Sequence, residues 1–90
     1  MSYRLLYSAV SRNLIRNLHP ELKTIIRASL ARLRDNPYEG KALERDLSGY
    51  FSLRAKRYRI IYKIDEEGQR IEIHYVGHRK DIYQLFRERA

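Results

Sequence analysis

The first half of the chain begins with a strand pattern and continues with a helical one. Residues 3–7 (YRLLY) are short, aromatic and aliphatic, which is typical of a β-strand. Apolar residues then recur at helical spacing over residues 10–18, after Ser8 and near Ser11, either of which can cap the helix. The pattern predicts a strand followed directly by a helix.

A second helix is predicted to begin at Pro20, because proline suits the first helical turn and Glu21 suits its positive end. Asn36 and Pro37 are expected to end it. Its apolar stripe consists of Leu22, Ile25, Ile26, Leu30 and Leu33. Because the connection between the two helices is very short, we expect a helical hairpin that packs on one side of a sheet.

The second half alternates at period two over residues 50–55, 58–65 and 70–76, which predicts three strands. The face that we expect the helices to cover carries Phe51, Leu53, Ala55, Tyr58, Ile60, Tyr62, Ile64, Ile71, Ile73 and Tyr75. The face that we expect to be open carries Tyr50, Ser52, Arg54, Arg59, Ile61, Lys63, Glu72, His74 and Val76.

Two further segments, residues 37–49 and residues 80–89, complete the predicted order of elements. Residues 37–49 have mixed charge and predict a surface loop anchored by Leu43 and Leu47. Residues 80–89 have apolar side chains on one side, with Tyr83 beside them, and predict a last helix. The expected fold is α+β: a small antiparallel sheet in the order β-α-α-β-β-β-α, with the N-terminal helical hairpin on one face and a C-terminal helix.

Composition narrows the class of protein. The chain has 90 residues, 43% hydrophobic and 33% charged, which predicts one domain over residues 1–90 and neither a disordered tail nor a membrane protein. The absence of cysteine excludes disulfide scaffolds, zinc ribbons and thiol nucleophiles. With no long apolar run at its start, we expect no signal peptide and a cytoplasmic location.

Positive charge is concentrated in one stretch. The chain has 19 Lys and Arg against 11 Asp and Glu, a net charge of +8. Residues 50–64 contain basic residues and no acidic ones, whereas residues 65–76 are mainly acidic. Clustered cations indicate a surface that binds a polyanion, because they neutralise phosphates and release counterions. The alternative is an ordinary basic domain with a well-solvated surface.

Two arginines are predicted to face each other. If Lys56 and Arg57 form a two-residue hairpin turn, Arg54 lies directly opposite Arg59 on the face expected to be open. Like charges across a strand pair are destabilising, and a bound phosphate would relieve them. The alternative is that both side chains extend separately into water.

Residues 77–83 (GHRKDIY) add further candidates at one end of the sheet. Tyr83 either packs in the core or holds its hydroxyl over the open face. His78 or His74 could transfer protons, since the ordinary pKa of histidine is near 6.5. The chain clusters too few ligands to predict a metal site, and it has no glycine-rich phosphate loop.

Residues 47–62 (LSGYFSLRAKRYRIIY) and 76–83 (VGHRKDIY) together resemble the RelE/ParE superfamily of bacterial and archaeal type II toxins. The resemblance extends over nearly the whole chain, and the family's fold agrees with the predicted order of elements. It implies an mRNA interferase that enters the ribosomal A site and cuts the message. A co-expressed antitoxin would keep it inactive.

The implied reaction needs no metal or small-molecule cofactor: the ribose 2′-OH attacks the adjacent phosphate and leaves a 2′,3′-cyclic phosphate. By the resemblance, the catalytic candidates are Arg54, Arg59, Arg79 and Tyr83. The neighbouring residues expected to contact RNA are Lys56, Arg57, His78 and Lys80.

One departure from the family concerns the general base. The RelE-type pattern has lysines in the strand before the hairpin, where this chain has Tyr50 and Ser52. Arginine is too basic to serve in that role. The candidates for the base are therefore Lys56, His78 and Tyr83.

Two other functions fit the same resemblance. A ParE-type toxin would inhibit DNA gyrase by protein contact and perform no RNA chemistry. A degenerate family member would act only by binding an antitoxin. The two hairpin arginines and the GHRKDIY ending favour the RelE-type interpretation.

Overall fold

The structure, a computed structural model, describes residues 2–89. Its strands are β1 (Arg4–Tyr7), β2 (Lys41–Ala42), β3 (Phe51–Ala55), β4 (Tyr58–Asp65) and β5 (Arg70–His78). Its helices are α1 (Ala9–Arg16), α2 (Pro20–Asp35) and α3 (Ile82–Arg89), with short 3₁₀ turns at Pro37–Glu39 and Arg45–Leu47. In this part of the chain, no helix is long and apolar enough to cross a membrane.

The strands form one sheet in the order β1-β5-β4-β3-β2, which confirms the α+β fold class. The sheet is mixed, because β1 lies parallel to β5 while the other neighbours are antiparallel. The two helices between β1 and the later strands return the chain across the sheet, which permits the parallel pairing. β2 adds a short edge strand within residues 37–49, the segment predicted to be a loop.

The first two helices begin where the sequence predicts. Ser8 caps α1, its side chain accepting a hydrogen bond from the backbone N–H of Ser11. His19 caps α2 through Nδ1, which accepts from the backbone N–H of Glu21 at 3.3 Å, and Pro20 opens the helix. The last helix is shorter than predicted and starts at Ile82, after a turn.

α2 covers one face of the sheet and forms the main core. Ile26, Leu30 and Leu33 of α2 are buried against the sheet. The strand residues buried with them are Leu53, Ala55, Ile60, Tyr62, Ile71, Ile73 and Val76. Every one of these except Val76 was predicted to lie on this face.

A β-bulge in β5 changes the faces of Tyr75 and Val76. Ile61 pairs with Tyr75 and Tyr62 pairs with Ile73, so His74 has no partner on β4. The extra residue shifts the alternation by one position beyond it. The predicted faces of Tyr75 and Val76 are therefore wrong: Val76 joins the main core, and Tyr75 lies on the opposite face.

The opposite face was predicted to be open. This prediction is wrong, because α3 covers much of that face. Ile82 and Phe86 of α3 are buried against Ile61 and Tyr75, together with Leu47 from the 3₁₀ turn before β3. This second cluster leaves a cationic part of the same face uncovered beside α3.

Candidate active site

The β3–β4 hairpin positions two arginines side by side. Lys56 and Arg57 form its turn, and Lys56 adopts a positive φ of 59°. The register pairs Arg54 directly with Arg59, as predicted. Arg54 is exposed, and its Nε donates to the backbone oxygen of Lys56 at 3.3 Å. The hairpin therefore presents two guanidinium groups on the side of the sheet that also carries α3.

Ser52 connects Arg59 to Tyr83. Nη1 of Arg59 donates to Oγ of Ser52 at 3.2 Å, and the Tyr83 hydroxyl donates to the same oxygen at 3.1 Å. The Ser52 side chain is buried, with 1% of the residue exposed. Sequence reasoning placed Ser52 on the correct face but did not identify it as a link, because its two partners meet only when α3 lies across β3.

Tyr83 combines core packing with a polar contact. Its ring packs against the second cluster, while its hydroxyl reaches Ser52. The ring also lines a surface cavity of about 290 Å³ shared with Lys41, Leu43 and Arg87. The phenol thus lies between a buried anchor and an open groove.

The cationic groups around the hairpin have no acidic partners within residues 2–89. No carboxylate in that range forms an ion pair within 4.0 Å with Arg54, Arg59, Arg79, Lys56, Arg57 or Lys80. An anion that approached this surface would therefore meet charges that are not already neutralised.

Arg79 and Lys80 follow β5 in an exposed turn. The backbone N–H of Arg79 donates to the backbone oxygen of Arg57 at 2.8 Å, which fixes this turn to the tip of the hairpin. The structure thus brings Arg79 and Lys80 to the same end of the sheet as the hairpin arginines.

His78 lies on the other face. It pairs with Tyr58, whereas Arg59 pairs with Gly77, and side chains alternate between faces. The His78 ring contacts Tyr58 with centroids 5.6 Å apart, and both line a cavity of about 420 Å³ beside Leu22 of α2. The structure does not bring the His78 side chain to Arg54, Arg59 and Tyr83.

His74 is also separate from the arginines. It occupies the bulge, packs edge-on against Tyr50 at 5.3 Å between centroids, and its Nε2 lies 3.2 Å from Oε1 of Glu72. Within residues 2–89, no three His, Asp or Glu side chains are arranged to hold a metal ion.

The largest pKa shifts belong to structural tyrosines. Burial raises the pKa of Tyr62 to about 12, and its hydroxyl donates to the backbone oxygen of Pro37 at 2.7 Å. A hydrogen bond to Glu66 raises the pKa of Tyr38 to about 12. Both hydroxyls anchor the segment after α2, and neither belongs to the hydrogen-bonded group of Arg59, Ser52 and Tyr83.

Comparison with known proteins identifies the class of protein to which this chain belongs. The family described as "ParE toxin of type II toxin-antitoxin system, parDE" matches residues 12–83. Toxin RelG of Mycobacterium tuberculosis is 35% identical over 86 residues, which cover 93% of this chain and 99% of RelG. Toxin RelE of the same organism is 39% identical over 54 residues, 59% of this chain and 56% of that protein.

Solved structures agree in fold. In the toxin-antitoxin complex RelBE2 from M. tuberculosis, the matching chain is 31% identical with a TM-score of 0.80, and the match covers 90% of this chain and 95% of that one. The isolated E. coli RelE toxin has a TM-score of 0.73 at 19% identity, with 98% of each chain covered. The chain belongs to the RelE/ParE superfamily of toxins from type II toxin-antitoxin systems.

Proposed function

We propose that this toxin is a ribosome-dependent endoribonuclease that cuts mRNA in the A site and so stops translation. The observation that carries the proposal is that Arg54 and Arg59 face each other without a carboxylate partner within residues 2–89. The Tyr83 hydroxyl lies beside Arg59, because both donate hydrogen bonds to Ser52. Such a surface combines hydrogen-bond donors for a phosphate with a hydroxyl that can transfer a proton.

In the proposed reaction, the ribose 2′-oxygen forms a bond to phosphorus while the bond from phosphorus to the 5′-oxygen breaks. The 2′-OH loses its proton, the departing 5′-oxygen gains one, and the products are a 2′,3′-cyclic phosphate and a 5′-OH. Negative charge increases on the phosphoryl oxygens in the transition state. Arg54, Arg59 and Arg79 would stabilise that charge, which is the main contribution expected of preorganised donors.

Tyr83 is the proposed proton-transfer or ribose-orienting residue, because its hydroxyl is hydrogen-bonded within the arginine network. Lys56 stays a second candidate at the hairpin tip, whereas the His78 side chain lies on the other face. Lys56, Arg57 and Lys80, at the same end of the sheet as the arginines, would contact RNA beside the cleaved bond, whereas the predicted contact by His78 would have to come from the other face. The proposed mechanism uses no metal ion or small-molecule cofactor.

The proposed partners are the ribosome, mRNA and a cognate antitoxin, and the proposed location is the cytoplasm. The support for an antitoxin is that related toxins have been solved as toxin-antitoxin complexes, such as RelBE2 of M. tuberculosis. The matching family is named for ParE, so gyrase inhibition is the second candidate function.

The test is induced expression in bacteria, followed by primer extension on a translated message. We expect cleavage within codons for the wild type, and a loss of about 10²–10³-fold in cleavage rate for Arg54→Ala or Arg59→Ala, the usual cost of removing one transition-state donor. Arg16→Ala is the matched control, because Arg16 is an exposed arginine at the end of α1.

Two results would contradict the proposal. If Arg54→Ala and Arg59→Ala both remain fully toxic, these arginines are not the phosphate site. If the message stays intact while purified toxin blocks DNA supercoiling by gyrase, the ParE-type function is correct.

A further inference from the structure

We infer that Ser52 is a positioning residue, which holds Tyr83 and Arg59 in the arrangement that cleavage requires. The inference rests on the proposed function. Ser52 lies within β3, between Phe51 and Leu53, and pairs with Ile61 of β4. It also pairs with Lys41 of β2, so its backbone is fixed from both sides.

The hydroxyl of Ser52 has both of its acceptor positions filled. A serine hydroxyl can accept two hydrogen bonds and donate one. Nη1 of Arg59 supplies one of the accepted bonds, at 3.2 Å, and the Tyr83 hydroxyl supplies the other, at 3.1 Å. A buried hydroxyl is costly without partners, and here both partners are candidate site residues.

The two partners come from different elements, which makes the link useful. Arg59 extends diagonally across the strand pair from β4, and Tyr83 descends from the first turn of α3. Both side chains are long and half-buried, and each would otherwise sample other rotamers. One fixed acceptor on β3 restricts both at once, and a misplacement of about 1 Å can reduce a reaction rate by about 10²-fold.

The test compares Ser52→Thr with Ser52→Val. Thr and Val have nearly the same shape and both suit a strand, so the pair isolates the hydroxyl from the packing. In cleavage of ribosome-bound message, we expect Ser52→Val to lower kcat by about tenfold or more with little change in KM. Ser52→Thr should retain most of the wild-type kcat.

Three further variants separate a positioning role of Ser52 from a merely structural effect. Ser29→Ala is the matched control, since Ser29 is also a buried serine but lies in α2. It should leave kcat unchanged. Ser52→Ala, the smaller replacement, repeats the test if Val disturbs folding. In a Tyr83→Phe background the loss from Ser52→Val should shrink, because much of it acts through Tyr83.

A second measurement does not depend on cleavage. In protein labelled at tyrosine and arginine, the Tyr83 ring and Arg59 guanidinium NMR signals should both move in Ser52→Val and stay near wild type in Ser52→Thr. If the wild type does not cut message, the proposed function fails, and these signals alone decide the role of Ser52. If wild type cuts message and Ser52→Val keeps both the kcat and the NMR signals, Ser52 does not position the site.

Discussion

At the scale of single residues, two elements build the candidate site: the β3–β4 hairpin holds Arg54 opposite Arg59, and α3 brings the Tyr83 hydroxyl to Ser52. The opposition of Arg54 and Arg59 followed from the two-residue turn alone, because a short hairpin determines its own register. The hydrogen bond between Tyr83 and Ser52 could not be predicted, because it depends on where α3 crosses the sheet. Local contacts could be derived, whereas contacts between distant elements could not.

Tyr83 supplies the residue-scale prediction. We expect Tyr83→Phe to lower turnover by about 10²-fold or more with nearly unchanged RNA binding, because Phe retains the ring and removes the hydroxyl that bonds Ser52. Single-turnover cleavage and RNA binding, measured on the same preparation, separate the two effects.

Tyr83→Ala is the companion variant. If the tyrosine acts only by stacking on a base, Phe should keep activity and Ala should lose it. If Phe and Ala both behave as wild type, Tyr83 is a packing residue, and the proposed proton-transfer role passes to Lys56, since the His78 side chain lies on the other face.

At the scale of elements, periodicity predicted the helices and the three long strands but missed the bulge in β5. His74 is not distinguished in the sequence from its neighbours on the strand, yet the extra residue exchanges the predicted faces of Tyr75 and Val76. The parallel placement of β1 was also missed, since a strand's direction depends on its connections and not on its composition.

The β4–β5 connection gives a prediction about pH. Asp65 closes the turn: its Oδ1 accepts from the backbone N–H of Gly68 at 3.1 Å, and its Oδ2 accepts from Nε of Arg70 at 3.0 Å. The hydrogen bond from Arg70, followed by that from Gly68, lowers the pKa of the Asp65 carboxyl below 3.8. A lowered folded-state pKa stabilises the fold above the unfolded pKa, and this contribution is lost as pH falls through the folded value.

We therefore expect Asp65→Asn to lower the urea midpoint modestly at about pH 7, with the difference from wild type shrinking as pH falls below about 4. Glu67→Gln is the control, because Glu67 is an exposed carboxylate in the same turn that forms no ion pair with another residue in the range 2–89. A difference between Asp65→Asn and wild type that stays constant down to about pH 2 would show that the carboxylate charge is not its cause.

At the scale of the whole molecule, charge is separated along the sheet. β4 runs from the cationic hairpin to the acidic turn at Asp65, Glu66 and Glu67, so the two charge clusters of the sequence lie at opposite ends of one strand. An eight-residue strand places them roughly 25 Å apart. Such a separation would orient an approaching polyanion toward the hairpin end.

The same charge supports a prediction about the antitoxin. A small basic domain with a net charge of +8 should bind a partner that carries an acidic or amphipathic segment. A groove between the first two helices, lined by Tyr7, Ile15 and Leu30 and flanked by Arg12 and Arg27, offers apolar contact beside positive charge.

We expect the product of the neighbouring gene to restore growth when co-expressed with the toxin and to co-purify with it. The Arg59→Ala variant, expected to be non-toxic, lets the free domain be prepared for titration with that product. Because a ligand that binds only the folded state stabilises it by mass action, the melting temperature of the toxin should rise with antitoxin concentration. The affinity should fall as salt rises, since screening weakens contacts between charges. Growth arrest that no adjacent gene product relieves would contradict this prediction.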